Sequence, residues 1–294
     1  MIVVAANPYS GAADNRRRVD ALARELAALA GPPRVLWDAR ERAAALADPI
    51  AMAGCRVVVA VGGDGTVAQV INELPFGTPL AVFPAGGENL FAAAHGFADD
   101  PVALVRAVAA GRTRAVDLGR ASVTGRRRLF ALMLSAGLDA EVVRRVAFWR
   151  ASGAALRRAR RASYVAPIAA SLARYRHPPV RVLAGETAMS GAYCIIANAP
   201  GYALDLRLSP EARADDGVLD WLVFERGGLL ALAAFSWAVW RGRHLTRSDV
   251  RAGRATRLTL DAAAPVPVQV DGDPLGTTPV EVEVVPGALT LIAP

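Results

Sequence analysis

The residues best equipped for chemistry are Gly62, Gly63, Asp64, Gly65 and Thr66, which follow directly on the apolar run 57–61. An unbroken apolar run of that length reads as a strand buried on both faces, as in a parallel sheet. Beyond the glycines, Val67, Val70, Ile71 and Leu74 recur at helical spacing. A strand therefore delivers a tight turn, and a helix starts at once. That arrangement gathers backbone N–H groups at a helix N-terminus, which suits a phosphate. Glycines let a ligand approach the backbone closely. Asp64 adds a carboxylate for a metal ion or a hydroxyl proton. A ligand-free turn uses the same residue types, but this ordered set after a buried strand points to nucleotide phosphates. The loop does not follow the G-x-x-x-x-G-K-[ST] pattern, and the chain contains no lysine. The positive charge there must come from arginine, a metal or backbone dipoles. Arg16, Arg17 and Arg18 are candidates, although a solvated helix face is the simpler account of them.

Other turns carry polar residues at strand ends. Asn7-Pro8-Tyr9-Ser10-Gly11 follows the strand 2–6, and Pro84-Ala85-Gly86-Gly87-Glu88-Asn89 follows the run 80–83. Parallel sheets bind ligands at the carboxyl ends of their strands, so these two turns and the glycine loop are candidates for one site. Two acidic turns stand further along, Asp215-Asp216-Gly217 before the run 218–224 and Asp271-Gly272-Asp273 after the run 266–270. By residue type alone both read as turns, Asp-Gly being a common hairpin signal. His95, His177 and His244 are scattered without ligand spacing, which speaks against zinc. Cys55 and Cys194 read as buried thiols outside any disulfide framework.

The elements needed to position these residues change character along the chain. Strands at 2–6, 34–37, 57–61 and 80–83 alternate with helices at 14–30, 39–53, 90–95 and 101–110, the first capped by Asp14. That alternation predicts a parallel sheet with helices on both faces. From about residue 115 strands come in succession: 116–123, 129–136, 180–183, 188–197, 218–224, 255–260 and 266–270. Runs of strands with turn clusters between them predict an antiparallel sandwich or barrel. A long helix, 141–176, interrupts them. The last strands, 280–285 and 288–292, suit either domain. The expected division is an α/β domain at 1–119, a β-sandwich domain at 120–285, and residues 286–294 as an optional return to the first.

Composition sets outer bounds. The chain has 294 residues, 53% of them apolar, enough for a large core in two domains. Its 34 basic residues against 27 acidic ones give a net charge of +7, which favours anionic partners. The first strand begins at once, so no signal peptide is expected. No apolar run spans a bilayer; the longest, 227–240, is too short. That stretch, with Phe235, Trp237 and Trp240, reads as a core helix or the wall of a lipid pocket, the core being the ordinary outcome. Arg144, Arg145, Arg150, Arg157, Arg158, Arg160 and Arg161, with Phe148, Trp149 and Tyr164, form a basic helix suited to an anionic membrane or to plain solvent.

Taken in order, the turns at 7–11, 62–66 and 84–89, Ser135-Ala-Gly-Leu-Asp-Ala140, Asp215-Asp-Gly-Val-Leu-Asp220 and Asp271-Gly-Asp273 resemble the bacterial diacylglycerol-kinase-like lipid kinases, relatives of sphingosine kinases. The resemblance spans nearly the whole chain. It implies an N-terminal three-layer α/β/α nucleotide-binding domain and a C-terminal antiparallel β-sandwich, with ATP and Mg²⁺ as cofactors. It implies that Asn7, Pro8, Ser10, Gly11, Gly62, Gly63, Asp64, Gly65, Thr66, Gly86, Gly87 and Asn89 bind the nucleotide. It implies that Asp215, the Val218 carbonyl and Asp220 hold a structural Mg²⁺ through oxygen ligands. Asp271 and Asp273, with Asp64, are the implied catalytic residues, one of the pair deprotonating a lipid hydroxyl. Two positions depart from the family pattern: Gly87 stands where threonine is usual, and Asp273 where glutamate is usual. The implied activity is phosphoryl transfer from ATP to diacylglycerol or a related lipid. The alternatives are a long-chain-base or NAD-kinase-like enzyme, and a lipid- or nucleotide-binding protein without turnover. The glycine loop and the 271–273 turn are expected to share a cleft with an apolar slot. A cytoplasmic protein resting on the inner membrane face is expected, with no nucleic-acid partner and a homodimer left open.

Overall fold

The structure, a computed structural model, describes residues 1–8, 10, 15–151, 175–202 and 206–294. The expectations placed on Gly11, Asp14, Arg157, Arg158, Arg160, Arg161, Tyr164 and the Arg150 side chain lie outside the described residues. Two compact units form, Met1–Leu118 with Pro286–Pro294, and Gly119–Val285. The elements of the first are β1 (Ile2–Ala6), α1 (Arg16–Ala30), β2 (Arg34–Leu36), α2 (Ala39–Ala47), β3 (Val57–Gly62), α3 (Asp64–Glu73), β4 (Leu80–Pro84), α4 (Leu90–His95) and α5 (Pro101–Ala110). The chain leaves along β5 (Thr113–Val123). The second unit then builds β6 (Arg126–Phe130), β7 (Met133–Gly137), α6 (Leu138–Ala151), β8 (Val180–Ala184), β9 (Thr187–Gly191), β10 (Tyr193–Ala197), β11 (Gly201–Tyr202), β12 (Leu206–Arg207) and β13 (Leu219–Phe224). It continues with α7 (Leu229–Trp240), β14 (Val250–Ala255), β15 (Arg257–Asp261), β16 (Pro267–Val270) and β17 (Asp273–Thr277), and the chain returns along β18 (Val280–Ile292).

In the first unit the strand order is β2-β1-β3-β4-β18, every pair parallel. β1, β3 and β4 are buried along their whole length, which is why they read as continuous apolar runs. α1 packs with α5, and α2 with α3, giving the helical layers. α1 turns Val19, Leu22 and Leu26 inward. Its cap position is Asn15, whose side chain makes no capping bond. α2 is capped by Asp38, which accepts from the N–H groups of Arg40 and Glu41. It ends at Ala47, short of the expected residue 53, because Asp48 precedes Pro49 and turns extended at φ −91° and ψ 111°.

The second unit is a β-sandwich. One sheet orders β14-β13-β10-β7-β16-β17, antiparallel throughout. The other contains β15 paired with β18 and β8, and β8 with β9, also antiparallel. Ile196, Val223 and Val268 from the first face Val182, Leu258 and Val282 from the second in one core. The opposite side of β10 and β13 carries Tyr193, Ile195, Leu222 and Phe224, which pack against Leu138 of α6 and Phe235 and Val239 of α7.

Several expected elements are redrawn. The strand expected at 129–136 is two strands, β6 and β7, broken at Ala131 and Leu132. The strand expected at 188–197 is β9 and β10, which lie in different sheets. That expected at 255–260 is β14 and β15, while 280–285 and 288–292 are the single strand β18. The long helix starts at Leu138, and Tyr175 and Arg176 are not helical. Cys55 is half-buried, its thiol donating to the Val57 carbonyl at 3.4 Å, while Cys194 is fully buried.

Candidate functional site

In the first unit three turns are bound to one another at the carboxyl ends of β1, β3 and β4. Gly63 caps α3, its carbonyl accepting from the Thr66 and Val67 N–H groups at 2.9 and 3.1 Å. The N–H groups of Asp64 and Gly65 come before the first intrahelical bonds, at the positive end of the helix. A side chain at Gly65 would meet nothing within 4 Å, so this end is open to a ligand. Gly62 and Gly86 are crowded instead: a Cβ on the first would overlap the Thr66 side chain, and on the second the Cα of Gly63. The glycine loop and the 84–89 turn therefore cross glycine on glycine. Asn7 Nδ2 donates to Thr66 Oγ1 at 3.2 Å, linking the first turn to the second. Asp64 Oδ1 accepts the Phe91 N–H at 2.9 Å, linking the second to the third.

Asn89 adopts a left-handed conformation, φ 53° and ψ 43°. Its Oδ1 accepts the Gly86 N–H at 2.9 Å, and its Nδ2 donates to the Gly86 carbonyl at 3.1 Å. Asn7 and Ser10, described residues of the first turn, are held by Asn15 and by each other. Asn15 Nδ2 donates to the carbonyls of Ser10 and Asn7 at 2.8 and 3.2 Å, and Ser10 Oγ donates to the Asn7 carbonyl at 3.1 Å. Gly87 has open space around it and lies outside the left-handed region. Asn7, Gly63, Asp64, Thr66, Gly86 and Asn89 thus stand together, with Gly65 and Gly87 free of neighbours on the open side.

Arg18, from the 16–18 run, reaches this region. Its guanidinium donates to the Pro84 carbonyl at 3.0 Å, pairs with Asp99 and lies 5.2 Å from the Phe83 ring centre. With Gly86, Glu88, Asn89, Phe97 and Asp99 it lines a cavity of about 290 Å³. Neither Asn15 nor Asp99 stood out in the sequence, because their partners are set by the crossing of turns far apart in the chain.

In the second unit Asp271 and Gly272 form a two-residue hairpin between β16 and β17, with φ of 47° and 83°. Positive φ at both positions is the type I′ requirement that Asp-Gly satisfies. The Asp271 carboxylate accepts from three consecutive N–H groups: Leu132 and Met133 on Oδ1 at 3.0 and 2.9 Å, and Ala131 on Oδ2 at 2.8 Å. These donors lie at the break between β6 and β7, so the carboxylate satisfies N–H groups there. Burial pushes the Asp271 carboxyl up to about 6, against the pull of the three N–H groups and of Arg128. Oδ2 accepts the Ala131 N–H and keeps lone-pair capacity for a hydroxyl. Asp273 pairs with Arg128 at 2.5 Å. Gln269 accepts the Gly272 N–H at 2.8 Å and donates to Ser135 and Asp139 at 2.8 and 3.1 Å; Tyr202 donates to Asp139 at 2.7 Å. This network braces the hairpin from beneath.

The loop expected to bind metal holds Asp215 against Arg213 at 3.0 Å and Asp220 near Arg254 at 3.4 Å. Asp220 Oδ2 is buried without a hydrogen-bond partner. Burial raises the Asp220 carboxyl, Arg254 opposes this, and Asp216 and Glu211 raise it further. A buried, unpartnered carboxylate oxygen is a donor that a hard cation such as Mg²⁺ takes, although Arg213 and Arg254 already balance the two carboxylates. No group of three or more His, Cys, Asp or Glu side chains gathers for a metal among the described residues, so the observation that favours a metal in this loop is Asp220 Oδ2 alone.

Two family profiles cover the chain. Residues 1–121 match the diacylglycerol kinase catalytic domain, and residues 132–293 match the YegS C-terminal NAD kinase beta sandwich-like domain. A protein of Mycobacterium tuberculosis named diacylglycerol kinase is 29% identical over 248 residues, covering 82% of this chain and 78% of its own. A crystal structure of a diacylglycerol kinase from Bacillus anthracis superposes with a TM-score of 0.69 at 16% identity, over 100% of this chain and 96% of that one. An NAD kinase from Archaeoglobus fulgidus in complex with ATP superposes with a TM-score of 0.54 at 12% identity, over 99% and 93%.

Proposed function

Because the chain belongs to the diacylglycerol kinase-like family, built of a diacylglycerol kinase catalytic domain and the YegS-type NAD kinase beta sandwich-like domain, it is a phosphotransferase, and we propose that it transfers the γ-phosphoryl group of ATP to the hydroxyl of diacylglycerol or a related lipid. The observation that carries this reading is the set of interlocked turns in the first unit. Asp64 and Gly65 offer N–H groups at a helix start, beside the cross-linked turns of Asn7 and Asn89. Phosphoryl transfer asks chiefly for positioning and charge neutralisation, and fixed backbone donors supply both without reorganising.

In this reading Asn7, Pro8, Ser10 and Gly11 border the nucleotide, and residues 62–66 cradle its phosphates. Gly86, Gly87 and Asn89 close the third side, and Arg18 lends positive charge at its edge. Asp271 accepts the proton of the lipid hydroxyl while that oxygen bonds to the γ-phosphorus. The bond from the γ-phosphorus to the bridging oxygen breaks, and ADP leaves. Asp273, held by Arg128, keeps the guanidinium beside this carboxylate. Mg²⁺, if bound, would neutralise phosphate charge near Asp64, and a structural Mg²⁺ on Asp215, the Val218 carbonyl and Asp220 would need Asp215 to turn away from Arg213, which holds both of its carboxylate oxygens.

ATP consumption by the purified protein, measured with diacylglycerol, a long-chain base and NAD in separate mixed-micelle or soluble assays, tests the reading. Turnover with diacylglycerol or a close analogue is expected. Turnover with NAD alone rejects the lipid, and no turnover with any acceptor despite ATP binding rejects the enzyme.

A further inference from the structure

α7 carries no charged side chain in its sequence Leu-Leu-Ala-Leu-Ala-Ala-Phe-Ser-Trp-Ala-Val-Trp. A helix apolar all round belongs either inside a protein or in lipid. Here one face is satisfied: Phe235 stacks on Phe224 with ring centres 4.9 Å apart, and Ala238 and Val239 are buried. The opposite face is not covered by the described residues. Leu229 is 56% exposed, Leu230 89%, Trp237 59% and Trp240 65%. Leu230, Trp237 and Trp240 fall at helical spacing on one stripe, and the two indoles lie against each other with centres 5.0 Å apart. Exposed leucines scattered singly need no explanation, but two tryptophans and two leucines on one stripe do.

The rim of this stripe is basic. Arg241 lies over the Trp237 ring at 5.1 Å, and Arg243 is exposed with no ion pair among the described residues. Tryptophan beside arginine at the edge of an apolar face is the pattern of a helix lying in a membrane interface, with indoles at the headgroup level and guanidiniums on anionic phosphates. A second copy of this chain fits less well, because a two-fold contact through this stripe would bring like-charged arginines together.

We infer that α7 is the element by which this protein docks on an anionic lipid surface, its apolar stripe entering the interface with Arg241 and Arg243 at the headgroups. Docking is separable from turnover, because no residue of the stripe belongs to the sites described above.

Flotation with vesicles containing about a quarter phosphatidylglycerol in phosphatidylcholine, without ATP, tests the inference. The wild-type protein should float. The triple variant Leu230→Gln, Trp237→Gln, Trp240→Gln should keep its fold, since all three side chains are exposed, and bind at least about tenfold more weakly. Arg241→Gln with Arg243→Gln should weaken binding to these vesicles and leave binding to pure phosphatidylcholine unchanged. Equal flotation of the wild type and the folded triple variant overturns the inference. So does a wild-type protein that ignores vesicles but elutes as a dimer that the triple variant dissociates, which would give the face to a second copy.

Discussion

Asp64 has two tasks that one substitution separates. Its Oδ1 accepts the Phe91 N–H and so ties the glycine loop to α4. Asparagine keeps an acceptor oxygen there and removes only the charge. Asp64→Asn should therefore unfold within a few degrees of the wild type yet lose at least about a hundredfold in kcat, roughly the effect of one lost electrostatic stabiliser. Wild-type turnover in that variant would deny Asp64 any part in the chemistry. Gly87 offers the converse test. Its open surroundings and ordinary φ admit a β-branched residue. Gly87→Thr should fold normally and tighten an ATP analogue by roughly 0.5–1.5 kcal/mol, one hydrogen bond, in calorimetric titration. Weaker binding would mean that the turn has diverged in shape. Asp271 sets a pH dependence. A carboxylic acid cannot take a proton, so kcat/KM should fall as pH drops through about 6, the value to which burial raises this group. A profile flat from pH 5 to 8 would remove Asp271 from the role of base.

At the scale of elements, the glycine crossing is a tightly constrained contact between two backbones. Gly86→Ala would drive a methyl group into the Gly63 backbone, which cannot yield as a flexible side chain would. A loss of about 1–3 kcal/mol in chemical unfolding is expected, with nucleotide binding weakened alongside. Gly65→Ala, which meets open space, serves as the control and should cost far less. The parts of the fold readable from the chain were those with local causes. Val57 to Val61 form a continuous apolar run because both faces of β3 are covered, and the strand lies where the run predicts. The break after Phe130 left no local trace. Ala131 and Leu132 are as apolar as their neighbours, and their N–H groups turn aside for a carboxylate well over a hundred residues away. The hairpin of Asp271 and Gly272 was readable as a turn, but its hold on those N–H groups was not. α7 shows the same limit. Large apolar residues at helical spacing look alike whether the protein covers both faces or one, and only the packing shows that Trp237 and Trp240 stand uncovered.

At the scale of the whole molecule, the pattern of alternation followed by successive strands gave an N-terminal α/β fold and a C-terminal β-sandwich, and both are present. What pattern alone did not supply is the continuity of β18, which runs through Pro286 as one strand. Its C-terminal part pairs in parallel with β4, Leu291 opposite Leu80. Leu289, Leu291 and Ile292 are buried there. A chain ended after Val285 forfeits those side chains, each worth about 1.5–3 kcal/mol, against a typical total of about 5–15 kcal/mol. Such a chain should be recovered in inclusion bodies or unfold without a cooperative transition; a soluble, cooperatively melting product would show that β18 is dispensable.

The return of β18 also orders events at the ribosome. Synthesis runs from N- to C-terminus, so β1 to β4 emerge long before β18, the strand that pairs with β4. Until β18 clears the exit tunnel, β4 presents an unpaired edge while the second unit is being synthesised. The sandwich has all of its strands in hand first. Folding of the first unit should therefore finish after that of the second, with the turns at the carboxyl ends of β1, β3 and β4 becoming rigid only once β18 has paired, and the open β4 edge the place where chaperones or misassembly would act.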